Sequence, residues 1–169
     1  MQDTVWAQEI LSLKPSSSHL CLYLGFEGDI RKAGATSANH WVYETWDTNS
    51  AVWNDPAATD APMLFISFPS LKDPLYEAGE KQKHTGEIVT WINWELFSKW
   101  EQSKRNDRPE AYRELKRLIE DTLLVQFKRY FPEISPLITY HELSTPITMV
   151  HYVKRQQGAS YGLDVAPRR

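Results

Sequence analysis

The chain has 169 residues, enough for one domain with a sizeable core. Its 41% hydrophobic and 24% charged content are ordinary globular values, so disorder is excluded as the default, and a net charge of −3 gives no electrostatic argument for nucleic acid. The single cysteine, Cys21, excludes an internal disulfide framework and a multi-cysteine zinc site. Set between Leu20 and Leu22, it reads as a buried, inert thiol. No apolar run reaches the roughly 18 residues of a membrane helix. The first residues, MQDTVWAQEILSLK, lack a basic n-region and a cleavage site, so a cytosolic compartment is expected. Seven Trp, eight Tyr and six Phe are the compositional oddity; such rings combine apolar area with a polar handle and suit interfaces and ligand pockets.

In chain order, Gln2–Leu13 predicts a short helix with Trp6, Ile10 and Leu13 on one stripe. Pro15 and three serines end it. His19–Phe26 predicts a mostly buried strand, with Leu20, Leu22, Leu24 and Phe26 on one face and His19, Cys21 and Tyr23 on the other. Glu27–Asn39 reads as a loop or a poor helix. His40–Trp46 alternates as a strand with aromatics on both faces, Asp47–Ser50 is a turn, and Ala51–Pro62 is an irregular connection. Met63–Phe68 is a strand stopped by Pro69, Ser70–Lys83 a surface loop, and Gly86–Asn93 a further strand. Trp94–Trp100 opens a short helix.

Asp107 is the predicted N-cap of a long helix running to about Tyr130, with Pro109 just inside it. Leu115, Leu118, Ile119, Thr122, Val125 and Gln126 trace its first apolar face, and Leu123, Phe127 and Tyr130 a second flank. Ile134–Leu143 suits a strand. Ser144-Thr145-Pro146 signals a turn, Ile147–Val150 a short strand, and Gln156-Gln157-Gly158 a break. The fold class is therefore α+β: a mixed, largely antiparallel sheet with one face covered by the long helix. A second sheet face rich in Trp and Tyr, left uncovered, implies a ligand or another domain.

Familiar catalytic patterns are missing. Gly25-x-x-Gly28 and Gly158-x-x-x-Gly162 are not the dinucleotide fingerprint, and there is no P-loop, G-x-S-x-G elbow or H-E-x-x-H. The five histidines show no metal-ligand spacing. The scattered carboxylates read as solvated loop charges. Trp91 and Trp94 form either a stacking platform for a sugar or polyene, or core.

Thr145-Pro146-x-Thr148, the His151-Tyr152 pair and Gln157-Gly158-Ala159-x-Tyr161-Gly162 together resemble a signature of the phytoene desaturase-like FAD-dependent oxidoreductases. That family includes carotenoid desaturases, carotenoid isomerases and retinol saturases. His19–Phe26, Met63–Asp73 and Pro132–Ser144 resemble the strands of its substrate domain, in the right order. On the residues alone, the closing stretch reads first as two tight turns flanking an edge strand.

The resemblance implies a substrate-binding domain whose sheet walls an apolar tunnel, with FAD carrying the redox step. Thr145, Pro146 and Thr148 would line the approach to the isoalloxazine, and Gly158, Tyr161 and Gly162 would sit where the backbone passes the ring. Trp91, Trp94 and Tyr152 would touch a carotenoid- or retinoid-like substrate. No acid, base or nucleophile is assigned. The family's dinucleotide fingerprint and C-terminal flavin-contacting segment are absent from these residues. The chain is therefore expected to be a fragment, 1–169 forming a single substrate-binding domain, silent without the FAD-binding domain of its parent. An apolar substrate also fits peripheral membrane contact. A stand-alone binding module for apolar ligands and a protein-interaction domain are the alternatives.

Overall fold

The structure is a computed structural model that describes residues 4–48 and 51–165. Nine regular elements follow the chain: α1 (Val5–Leu11), β1 (Ser18–Glu27), β2 (His40–Tyr43), β3 (Val52–Trp53), β4 (Met63–Ser67), β5 (Lys83–Ile92), α2 (Glu110–Tyr130), β6 (Ile138–Ser144) and α3 (Pro146–Val153). The strands form one sheet in the order β2-β4-β5-β1-β6, with β3 added parallel to β5 and every other pairing antiparallel. This is the expected α+β class.

β1 and β5 are the spine. Ten residues pair in register from Ser18↔Ile92 to Glu27↔Lys83. The alternation read from the sequence decides the faces. Leu20, Leu22, Leu24 and Phe26 turn inward with Ile88, Leu64 and Ile66, all at most 3% exposed. α2 lies on this inner face and buries Ile119, Leu123 and Phe127 against it. Phe127 meets Phe26 at 6.2 Å, Phe68 at 6.5 Å and Phe131 at 5.1 Å between ring centroids, so aromatic contacts lock helix to sheet. Gly86 permits this close fit: a Cβ there would lie 2.8 Å from the Phe26 ring.

Several expectations are corrected. Ile147–Val150 is helical, because Thr145 and Thr148 cap each other's backbone and Pro146 occupies the first helical position. The N-cap of α2 is Pro109, not Asp107, and no side chain caps that end. The face of α2 that packs is Tyr112, Ile119, Leu123, Gln126 and Phe127, whereas Leu118 is 39% and Val125 62% exposed. The buried face thus takes Ile119 and Gln126 from the first face read from the sequence and Leu123 and Phe127 from the second flank. β2 ends at Tyr43 rather than Trp46, β5 begins at Lys83, and the connection at 51–62 contributes β3. The helix expected over Trp94–Trp100 is two short 3-10 turns. In α1, Trp6 and Ile10 point outward and only Ala7 is buried; the first residues of that predicted helix and Asn49-Ser50 lie outside the described residues.

Some of the scattered carboxylates are exposed but paired. Glu44 accepts from Tyr130 Oη at 2.7 Å and from Gln126 Nε2 at 3.1 Å, and lies 3.5 Å from Arg129, which also pairs with Asp60.

Candidate functional site

The outer face of the sheet is the open one. Pairing aligns its side chains in rows across the strands. One row runs Trp41, Phe65, Val89, Cys21 and Ser144; the next runs Ser67, Glu87, Tyr23 and Glu142. Trp41 and Phe65 meet edge to face at 4.9 Å. Trp41 is 58%, Tyr43 44%, Tyr23 49% and Tyr140 55% exposed, while Met63, Ser67 and Cys21 between the two edges are buried.

At the end of this face the closing segment folds over. Ala159 bridges to Ser18, Ser160 Oγ lies 2.6 Å from His19 Nδ1, and the Tyr161 ring stands 6.2 Å from Trp91. Trp91 is thereby held between His19, at 6.4 Å, and Tyr161, which is itself 75% exposed.

Three titratable groups on this face, His19, Cys21 and Tyr23, are shifted toward their neutral forms. Burial lowers the His19 pKa. Burial, and then the charge of Glu87, outweigh a hydrogen bond with Tyr23 and push the Cys21 thiol up to about 11. Tyr23 is pushed up to about 12, first by burial and then by its Cys21, Glu87 and Glu142 neighbours. Neither Cys21 nor Tyr23 is thus a proton-transfer group poised near neutrality.

The residues singled out from the sequence fall into two clusters. Thr145, Pro146, Thr148 and Gly158 meet at the foot of α3. Thr145 is fully buried, its backbone N–H donates to Thr148 Oγ1 at 3.1 Å, and its hydroxyl lies 2.8 Å from Tyr112 Oη. Gly158 has φ +61°, and a Cβ there would lie 2.7 Å from Pro146. Their small size and turn chemistry thus serve internal packing. Trp91, Tyr161 and Gly162 form the second cluster, at the open face, where the Gly162 carbonyl accepts from Ser16 N–H at 2.8 Å. Trp94 joins neither and packs against the inner core. Tyr152 is 56% exposed on α3, under the Arg105 guanidinium.

Sequence reasoning did not single out Trp41, Phe65, Tyr23 or Tyr140 for the open face. For Trp41 the signal was available in the alternation of HWVY; MLFIS, buried on both parities, gives no such signal for Phe65. Among the described residues no group of His, Cys, Asp or Glu is arranged to hold a metal ion, and no helix is long and apolar enough to cross a membrane.

No protein-family model matches the chain. Individual relatives do. It is 27% identical over 163 residues to an all-trans-retinol 13,14-reductase of Danio rerio and 25% identical to that of Rattus norvegicus, in each case over 93% of this chain. It is also 27% identical over 161 residues to a Danio rerio protein named as an inactive all-trans-retinol 13,14-reductase. The stretch is shared equally with proteins named as active and inactive, so similarity across it does not by itself carry activity. The chain spans 27% of the length of the first two. By sequence it is a homologue of the retinol saturases, a retinoid-related oxidoreductase family, over a stretch equal to about a quarter of their length.

Proposed function

We propose that this chain is the substrate-binding domain of an FAD-dependent oxidoreductase whose substrate is a long, apolar, conjugated molecule of the retinoid class. The observation that carries the reading is the open aromatic face: Trp41, Phe65, Trp91 and Tyr161 lie on the side of the sheet that α2 does not cover. Flat rings on a rigid sheet bind a flat polyene by area and exclude water from it, with few polar demands. The homology to proteins named for retinol reduction supports the substrate class.

The chain's own chemistry is that of a wall. Cys21 is held as a thiol, Tyr23 as a phenol, and His19, shifted down by burial, is tied to Ser160, so none of the three brings a charge to a substrate on this face. The flavin, supplied with the rest of the parent, would accept or deliver the electrons. Of the residues first assigned to it, Tyr161 and Gly162 suit contact with a planar ring, since Tyr161 is exposed beside Trp91. Thr145, Pro146 and Gly158 are taken up by packing at the foot of α3 and would support that contact from behind.

The test is to purify the chain by itself and within its full-length parent. The isolated chain should be colourless and inactive, and all-trans-retinol should quench its tryptophan fluorescence. A stoichiometric flavin or unaided turnover in the isolated chain would contradict the proposal.

A further inference from the structure

A second site lies around the free edge of β6, where the N-terminal end of α2 and the side of α3 form a cleft of about 630 Å³. Its charge is one-sided. Arg105, Arg108 and Lys116 line it, and none has a carboxylate partner among the described residues. The carboxylate on this lining, Glu142, already accepts from Tyr140 Oη at 2.6 Å. Such clustering is notable in a chain whose net charge is −3.

The cations are shelved on aromatics. Arg108 lies 4.7 Å over the Tyr112 ring and donates to its hydroxyl at 2.7 Å, and Arg105 lies 5.3 Å over Tyr152. Arg108 Nε is shielded from solvent and has no hydrogen-bond partner among the described residues, a costly state for a charged donor. The 21-residue α2 begins here with no side-chain cap, which adds the positive end of its dipole. Leu143, Met149 and Val153 supply apolar lining next to these cations.

We infer that the cleft binds an amphiphile with an anionic carboxylate or phosphate head and an apolar body. The head would be taken by Arg105, Arg108 and Lys116, and the body would lie along α3. Tyr23 and Glu142 of the open face also line this cleft, but Trp91 and Tyr161 do not, and the site does not rest on the flavin reading. The ligand is either a free molecule or a lipid within a bilayer.

The chain is titrated by calorimetry with monomeric dodecyl phosphate, inorganic phosphate and dodecanol, and by co-sedimentation with phosphatidylcholine vesicles, with and without phosphatidic acid. Dodecyl phosphate should bind, with phosphate and dodecanol each at least about ten-fold weaker. Arg105→Glu with Lys116→Glu should weaken binding by about ten-fold or more, and Arg31→Glu, outside the cleft, should not. The conservative variants Arg105→Gln and Lys116→Gln, both near the surface, should each weaken it by about three-fold. Binding to monomer but not vesicles assigns a free ligand; binding to both, lost in the double variant, assigns a bilayer lipid. Failure to bind dodecyl phosphate, equal binding of dodecanol, or binding indifferent to both sets of variants would overturn the site.

Discussion

Tyr112 on α2 and Thr145 at the start of α3 are joined hydroxyl to hydroxyl at 2.8 Å, and this bond ties two helices separated by a whole strand. Its direction follows from its neighbours. Arg108 has only donors and gives one to Tyr112 Oη, so the tyrosine proton goes to Thr145 Oγ1. Thr145 Oγ1 also accepts from the backbone of Thr148 in the capping box. Replacing Tyr112 by Phe removes the middle of this relay while keeping the buried ring. The protein should fold and lose about 1–2 kcal/mol, read as a shift in the urea midpoint.

Gly158 carries the other tie at the foot of α3. With φ at +61° and Pro146 atoms 2.7 Å from where a Cβ would stand, Gly158→Ala combines backbone strain with a clash against backbone. It should cost roughly 2–4 kcal/mol and raise proteolysis of the closing segment before the rest of the domain opens. Limited proteolysis at a temperature where both proteins are folded checks this.

Acid should weaken the fold through its buried imidazoles. His19 is shifted down by burial, and His84 by burial and then by Arg31, with Asp29 opposing. The unfolded chain takes these protons near the ordinary value of 6.5, whereas the folded chain resists them to lower pH. Stability is therefore fully present above 6.5, declines as pH falls through it, and stops declining below the folded-state values. Urea midpoints measured from pH 8 downward should show this decline, and His19→Gln should flatten it even though the Ser160 bond is lost.

Cys21 should be inert in the native protein. With its thiol pushed from 9.0 up to about 11, the thiolate fraction at pH 8 is roughly 100-fold below that of the unfolded chain. Alkylation by iodoacetamide should be slower by at least about that factor until urea unfolds the domain.

Much of the fold is legible in the chain. Alternation over β1 separates inner from outer residues, and the long helix announces itself by its period. The misreadings have physical causes. Gln126, placed on the apolar face by its period, stays in the core because it satisfies both backbone groups of Ala61 and reaches Glu44, partners that no local pattern reports. That polar residue shifts the buried face of α2 toward Phe127 and leaves Val125 outside. Ile147–Val150 has strand composition, yet the Thr145–Thr148 capping box and Pro146 outweigh it. Of the two glycines bracketing Tyr161, the spacing suggested a common role; the structure gives Gly158 to packing and leaves Gly162 beside the open face. The cleft cations were legible only as a charged stretch, since their convergence depends on the Tyr112 and Tyr152 rings.

The most direct measurement is steady-state kinetics on the full-length parent carrying Trp41→Ala and Trp91→Ala together. Loss of a stacked apolar wall should raise KM for all-trans-retinol by about ten-fold or more, with bound flavin and thermal stability little changed. An unchanged KM, or loss of flavin with substrate binding intact, would contradict the assignment of this face to substrate.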